Sequence, residues 1–186
     1  MIPMGTVMPS LLCHFNYVFF LIQGNLTKFA NLIKTGNFKQ VTNNNYTTIM
    51  KPTHIEHLGI AVTSLEETMP FFEFLTGSKC YNIEVVEDQK VKTAFFKVGE
   101  VKIELLEPTC PESTIAKFIE KNGGKGGIHH VAFNVENTAE ALKEAEAAGI
   151  RLIDLAPRKG AENLMIGFLH PKSTCGVLTE LCEQPK

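Results

Sequence analysis

The chain has 186 residues, of which 44% are apolar and 20% are charged, and its net charge is −2. This composition is that of a globular protein with a sizeable core, in one domain or in two small domains fused into one body. We expect no nucleic-acid or membrane partner, because the charge is near zero and no stretch approaches the roughly 18 apolar residues of a membrane-spanning helix.

Residues 1–49 differ in composition from the rest of the chain. They contain three lysines and no acidic residue, whereas residues 50–186 contain fifteen basic and all twenty acidic residues. Phe, Tyr, Asn, Ile and Lys make up 21 of these 49 residues, a bias typical of AT-rich DNA translated without selection for a fold. We therefore expect an unstructured or spurious N-terminal extension, with Met50 as the working initiator.

The cysteines indicate the cellular compartment. There are five, at positions 13, 80, 110, 175 and 182, an odd number without the paired spacing of a disulfide framework or a structural zinc site. This pattern predicts free thiols and a cytoplasmic protein. If residues 1–49 were a genuine leader, the mitochondrial matrix would be the alternative location.

From residue 54 onward the sequence repeats one unit. Ile55–Val62 and Ile128–Val135 both alternate as strands do, and each leads into a capping signature and a helix. The two capping signatures and the glycines that end the helices are Ser64-x-x-Glu67 with Gly77, and Asn137-x-x-Glu140 with Gly149. Pro70 lies inside the first helix, where proline is expected to kink the helix or to cost stability.

Three shorter strands are predicted after each helix. They are Cys80–Val86, Val91–Val98 and Val101–Glu107 in the first unit, and Arg151–Leu155, Leu164–Leu169 and Val177–Cys182 in the second. A short helix at 113–121 and a glycine-rich connector separate the units. The sequence thus predicts an α+β fold, in which two tandem β-α-β-β-β modules, 54–108 and 127–183, form one domain over residues 54–183.

Strand alternation sorts the histidines. His57 and His130 fall on the strand faces that carry small residues, whereas bulky residues fall on the opposite faces. The small residues are Gly59, Ala61 and Ala132. Both histidines are therefore expected to face a cavity, and His54 and His129, on the opposite parity, are not.

The last strand of each unit adds a carboxylate at a matching position, Glu104 in the first unit and Glu180 in the second. A carboxylate among apolar strand residues is costly unless it is paired or bound to a cation. Each of these residues alone is more often a solvated or satisfied polar group. Together with His57 and His130 they predict a divalent-metal site, in which mixed nitrogen and oxygen ligands suit cobalt, manganese, nickel, iron or zinc.

Six segments of the chain resemble the vicinal oxygen chelate superfamily and, within it, the methylmalonyl-CoA epimerase family. They are Ile55–Val62, Glu104–Pro108, Ile115–Ile119, Gly127–Ala132, Phe168–Thr174 and Gly176–Leu181. The resemblance covers about 54–183 and implies an eight-stranded open barrel-like cleft, commonly in a homodimer. It also implies that His57, Glu104, His130 and Glu180 hold the metal ion, with Co²⁺ favoured.

The implied reaction interconverts (2R)- and (2S)-methylmalonyl-CoA, an acyl-CoA thioester, by removal of the α-proton through an enolate that the metal stabilises. Glu180 is the first candidate base. Some family members have a second glutamate where this chain has Thr93, so Glu104 or a water is the candidate second partner. His170 and Lys172 are candidates for contacts with the CoA phosphates, and the chain departs from a glycine-rich family loop at 161–163.

Other functions of the same fold stay open. A glyoxalase I-type lactoylglutathione lyase shares the set of two histidines and two glutamates, and a non-catalytic ligand-binding protein is the alternative from another class. An extradiol-type dioxygenase is less favoured, because it binds iron with two histidines and one carboxylate, whereas this chain offers two carboxylates.

Overall fold

The computed structural model describes residues 50–185, and the predicted N-terminal extension at 1–49 lies outside the described residues. The strands in this part of the chain are β1 (His54–Ala61), β2 (Asn82–Val86), β3 (Val91–Val98), β4 (Val101–Pro108), β5 (Gly127–Asn134), β6 (Arg158–Lys159), β7 (Met165–Leu169) and β8 (Thr179–Glu183). The α-helices are α1 (Leu65–Thr76), α2 (Thr114–Lys121) and α3 (Thr138–Ala147). The fold is α+β, as the sequence predicts.

All eight strands belong to one sheet, in the order β2-β3-β4-β1-β5-β8-β7-β6. In each half of the chain the first long strand pairs in parallel with the last strand, β1 with β4 and β5 with β8. The two halves join where β1 pairs antiparallel with β5 at the centre of the sheet. The four strands that carry the predicted metal ligands are therefore adjacent.

The helices begin and end where the sequence predicts. The backbone N–H of Glu67 donates to Ser64 Oγ at the start of α1, over 3.2 Å, and Gly77 ends this helix in the left-handed conformation. α1 continues through Pro70. The N–H that proline lacks would have bonded the carbonyl of Glu66, in an exposed first turn where water can replace it.

The predicted strand Arg151–Leu155 is wrong. This segment makes one isolated bridge to β7, and the regular pairing at this edge comes from the short strand β6. The carboxylate of Asp154 accepts the backbone N–H of Phe168, over 2.9 Å, in place of a backbone carbonyl. Because the Asp154 side chain takes the N–H of Phe168, the backbone hydrogen-bond ladder between this segment and β7 does not continue. The other strands lie within a few residues of their predicted ranges.

One face of the sheet packs against α1 and α3. α3 covers a cluster that includes Leu142, Leu169 and Leu181, and α1 packs on a cluster that includes Leu65 and Phe96. Burial of such side chains stabilises the fold by about 25 cal/mol for each Å² of apolar surface. The other face of the sheet carries the small residues and the histidines of the central strands, and α2 packs on this side through Ile115 and Ile119.

Cys80, Cys110, Cys175 and Cys182 are free thiols, and Cys13 lies outside the described residues. Among residues 50–185 no helix is both long and apolar enough to cross a membrane.

Candidate metal centre

Four buried side chains converge from the four central strands. They are His57 on β1, Glu104 on β4, His130 on β5 and Glu180 on β8, each at most 5% exposed. The Nε2 atoms of His57 and His130 are 2.9 Å apart. Glu104 Oε2 lies 3.3 Å from His57 Nε2, and Glu180 Oε2 lies 3.4 Å from His130 Nε2. The structure brings together the four residues that strand alternation selected.

This cluster fits a divalent cation. Ligand atoms at ~2.1 Å from one ion are ~3.0 Å apart when they lie at right angles. The separations between histidine nitrogen and carboxylate oxygen in the cluster run from 3.3 to 3.9 Å. Ligand atoms of His57, His130 and Glu180 all lie within 4.8 Å of one another. Modest side-chain movement would place them around one ion, and the mixed donor set suits a transition metal.

The electrostatics of the cluster favour a positive charge. Burial alone would lower the pKa of His57, but the carboxylates of Glu104, Glu56 and Glu180 outweigh it and raise that pKa to about 9. Burial raises the pKa of Glu180. For Glu104, burial is outweighed by His57 and His130, so its pKa is lowered. Either a proton on His57 or a metal cation would neutralise part of the negative charge of these buried carboxylates.

Glu56 is a buried residue in contact with the cluster that sequence reasoning missed. Between Ile55 and His57 the register of β1 against β5 shifts by one residue, and Glu56 is the extra residue of this bulge. It is 1% exposed, and its carboxylate contacts Nδ1 of His57. That contact leaves Nε2 of His57 for the cluster, the arrangement in which a carboxylate orients a metal-binding histidine.

Two contacts keep the Glu56 carboxylate ionised. Burial would raise its pKa, but hydrogen bonds with His57 and Lys102 lower it to about 2. In the sequence, an acidic residue next to a cavity-facing histidine is only a weak indication that its carboxylate contacts that histidine. Strict alternation puts adjacent strand residues on opposite faces, and this rule fails at the bulge.

The prediction for His129 is wrong for the same reason. The register shifts again between Gly59 and Ile60, and His129 is the extra residue on β5. Its side chain lines the cavity beside His130, with the two Nδ1 atoms 2.9 Å apart. Burial and the neighbouring His130 lower the pKa of His129 to about 4, so this imidazole is neutral at neutral pH. His54 does not line the cavity, as predicted, and its side chain is exposed.

The cluster lies in the wall of a cavity of about 170 Å³. Most of the lining is apolar and comes from both halves of the chain, with Val86, Val91, Phe95, Leu106, Ile115, Leu164, Ile166 and Phe168 among its members. Thr93 also lines the cavity, and its hydroxyl donates to the carbonyl of Glu84 over 3.4 Å. The cavity thus places one polar cluster against a space suited to a small, partly apolar group.

His170 and Lys172 are not among the residues that line this cavity. The backbone N–H of Lys172 donates to His170 Nδ1 over 3.1 Å, so His170 caps a short helical turn. The Lys172 side chain is exposed. Their contact with the phosphates of a bound ligand stays a prediction.

Gly59 supplies a test of the cluster, because its backbone lies against the His130 ring. A Cβ atom at Gly59 would lie 2.1 Å from Cε1 of His130. We expect Gly59→Ala to displace that imidazole and to weaken Co²⁺ binding at least about tenfold in a calorimetric titration. Gly127→Ala is the matched control on β5, because its added Cβ meets nothing closer than Asn122 Nδ2 at 3.4 Å. Equal affinities in the two variants would contradict the assignment.

Comparison with known proteins adds evidence from outside the chain. Residues 56–168 match the glyoxalase/bleomycin resistance protein/dioxygenase superfamily. An uncharacterized protein of Bacillus subtilis is 43% identical over 69% of this chain and 91% of its own length. A mitochondrial methylmalonyl-CoA epimerase of Dictyostelium discoideum is 37% identical over 70% of this chain and 78% of its own length.

A solved structure matches the same region. It is a Streptomyces coelicolor methylmalonyl-CoA epimerase variant in complex with 2-nitronate-propionyl-CoA, with a TM-score of 0.68 and 36% identity. The match covers 72% of this chain and 96% of that chain. The two chains are therefore similar in amino-acid sequence as well as in fold.

Proposed function

The chain belongs to the glyoxalase/bleomycin resistance protein/dioxygenase superfamily, and we propose that it is a metal-dependent epimerase that interconverts (2R)- and (2S)-methylmalonyl-CoA. The observation that carries this proposal is the convergence of two histidines and two glutamates in the wall of an apolar cavity. Relatives that bear the name methylmalonyl-CoA epimerase, 32 to 37% identical to this chain, support the substrate.

His57, Glu104, His130 and Glu180 would hold the cation, for which Co²⁺ is favoured over manganese, nickel, zinc or iron. When bound, the cation would supply Lewis-acid polarisation of the thioester carbonyl next to the reacting carbon. Glu56 holds His57 by its Nδ1 atom and so orients the imidazole toward the cluster. The apolar walls would receive the methyl substituent of the substrate and limit water beside the reacting carbon.

Glu180 is the proposed base. It would accept the proton when the C–H bond at the α-carbon breaks and the electron pair moves into the thioester to give an enolate. The pKa of its carboxyl is raised by burial, which suits a group that must carry a proton. Inversion then requires that a proton return to the opposite face of the same carbon.

The second proton partner is proposed to be Glu104 or a water. Glu104 is buried, and Oε2 of this residue lies 3.5 Å from His130 Nε2 on the cavity wall. Thr93 lies in the same wall, but a threonine hydroxyl is far too weak a base at neutral pH to take this role. The homodimer stays a prediction of the family resemblance, and the cytoplasmic location stays a prediction from the cysteine pattern.

Proton exchange tests the proposal directly. In D₂O, the Co²⁺-loaded protein is expected to catalyse incorporation of deuterium at the α-carbon of methylmalonyl-CoA. NMR or mass spectrometry measures this incorporation. If a metal-loaded sample did not exchange the α-proton, the proposed epimerase activity would be refuted. A parallel assay with the glutathione hemithioacetal of methylglyoxal separates the lyase alternative. A non-catalytic binding protein would turn over neither substrate, whereas equimolar metal that survives dialysis and activity that is lost on chelation would argue against that alternative.

A further inference from the structure

The two edge strands of the sheet approach each other at one loop. β2 and β6 are the outermost strands at opposite ends of the strand order. The loop 160–163, between β6 and β7, nevertheless contacts β2, because the backbone N–H of Glu162 donates to Glu84 Oε1 over 2.7 Å. Asn82 Nδ2 also lies 3.4 Å from Glu162 Oε1. The sheet is therefore curled into a half-barrel, and this loop, whose Ala161 lines the cavity, joins its edges.

Glu162 is the centre of these contacts. Its Oε2 atom lies 2.6 Å from Nζ of Lys102, which comes from β4, and both side chains are less than 20% exposed. Glu162 and Asn163 adopt φ values of 53° and 60°, in the left-handed region that residues other than glycine occupy at an energetic cost. The loop is thus held in a conformation that its own residues do not favour, by contacts with the opposite edge.

Lys102 extends the contacts to the metal cluster. Its ammonium group also contacts the carboxylate of Glu56, and the other carboxylate oxygen of Glu56 contacts Nδ1 of His57. Charged partners make these hydrogen bonds stronger than neutral ones. A continuous series of ionic hydrogen bonds therefore runs from the edge loop, through Lys102 and Glu56, to one of the four cluster side chains.

We propose that Glu162 is a positioning residue, which holds the two edges of the half-barrel together over the bound acyl group and ties this closure to the imidazole of His57. The proposal rests on the proposed function. Glu162 is not among the residues that line the cavity, so it acts through the loop and through Lys102. A cavity wall held in this way stabilises the bound substrate and the transition state equally. Loss of the Glu162 contacts is therefore expected to raise KM and to leave kcat nearly unchanged.

Glu162→Gln tests the proposal, because it keeps the size of the side chain and removes its charge. We expect KM for methylmalonyl-CoA to rise about tenfold, with kcat changed less than about twofold. In hydrogen–deuterium exchange of the full chain without substrate, amides of β2 and of the loop 160–163 are expected to exchange about tenfold faster. Partial unfolding would instead lower kcat and leave KM unchanged.

The chain offers matched controls. Glu73 and Lys79 form an exposed ion pair at the same separation of 2.6 Å, so Glu73→Gln is expected to change neither KM nor the exchange of β2. Glu162→Gly removes the carboxylate but relieves the left-handed backbone, and it is expected to raise KM as Glu162→Gln does. Asn163→Gly relieves a similar backbone strain and keeps the carboxylate, so KM is expected to stay unchanged.

An unchanged KM in Glu162→Gln, or β2 amides that exchange as in the wild type, would overturn the positioning role. A rise in KM in Asn163→Gly of the same size would also overturn it, since the loop backbone and not the carboxylate would then be responsible. A wild-type chain without epimerase activity would defeat the proposed function. The exchange contrast between Glu162→Gln and Glu73→Gln would still decide whether Glu162 joins the edges.

Discussion

Replacing Glu180 by glutamine is expected to slow α-proton exchange in methylmalonyl-CoA by at least about a thousandfold. The side chain is the proposed base and a proposed ligand, and glutamine can neither take the proton nor supply the anionic charge. The substitution keeps the volume of a residue that is 3% exposed, so the fold should persist. The measurement is the initial rate of deuterium incorporation at saturating Co²⁺, with circular dichroism to verify folding.

Glu146→Gln is the control for this variant. Glu146 is an exposed carboxylate on α3, remote from the cavity lining, and its loss is expected to leave the exchange rate unchanged. If the folded Glu180→Gln protein exchanged the α-proton at the wild-type rate, Glu180 would have no part in the proton transfer. Retained Co²⁺ binding with lost exchange would separate its role as a base from its role as a ligand.

Removal of the metal is expected to lower the melting temperature of the protein by about 10 °C. A ligand at 100 times its Kd stabilises the folded state by about 2.7 kcal/mol, and a domain of this size gains ~4 °C for each kcal/mol. The reason is the cluster of two carboxylates and two imidazoles, which a cation neutralises. Calorimetry with chelated and Co²⁺-loaded protein measures the difference.

This metal-dependent gain is expected to be larger at pH 8.5 than at pH 6. In the metal-free protein the pKa of His57 is raised from 6.5 to about 9. The bound proton therefore stabilises the metal-free fold fully below pH 6.5, and this stabilisation is lost as the pH rises through about 9. The metal competes with that proton. A gain that did not depend on pH, or a full gain in His130→Ala, would contradict the cluster as the site of binding.

The sequence predicted that His57, Glu104, His130 and Glu180 converge, because strands β1 and β5 alternate regularly between their bulges. Gly59 and Ala132 mark the open face, and Gly59 packs directly against His130, so small residues were a valid signal of the space that an imidazole fills. Capping signatures were equally reliable, since the N–H of Glu140 donates to Asn137 as its spacing requires. These features depend on residues close together in the chain.

The features that escaped prediction depend on interactions that local patterns do not encode. Each of the two bulges adds one residue to a strand, so alternation overlooked Glu56 and misplaced His129. The contact of Lys102 with Glu162 spans 60 residues and joins two parts of the sheet that no periodicity connects. The interruption of the predicted strand Arg151–Leu155 depends on the side chain of Asp154, which bonds a neighbouring strand.

The antiparallel pairing of β1 with β5 has a consequence for the order of folding. One half of the chain carries His57 and Glu104, and the other carries His130 and Glu180, so neither half alone offers more than two ligands. The two imidazoles meet across 73 residues of chain, a long loop to close before the central strands pair. If these residues hold the proposed cation, its capture is expected only after the two halves meet, and the rate of Co²⁺ uptake by refolding protein would measure that step.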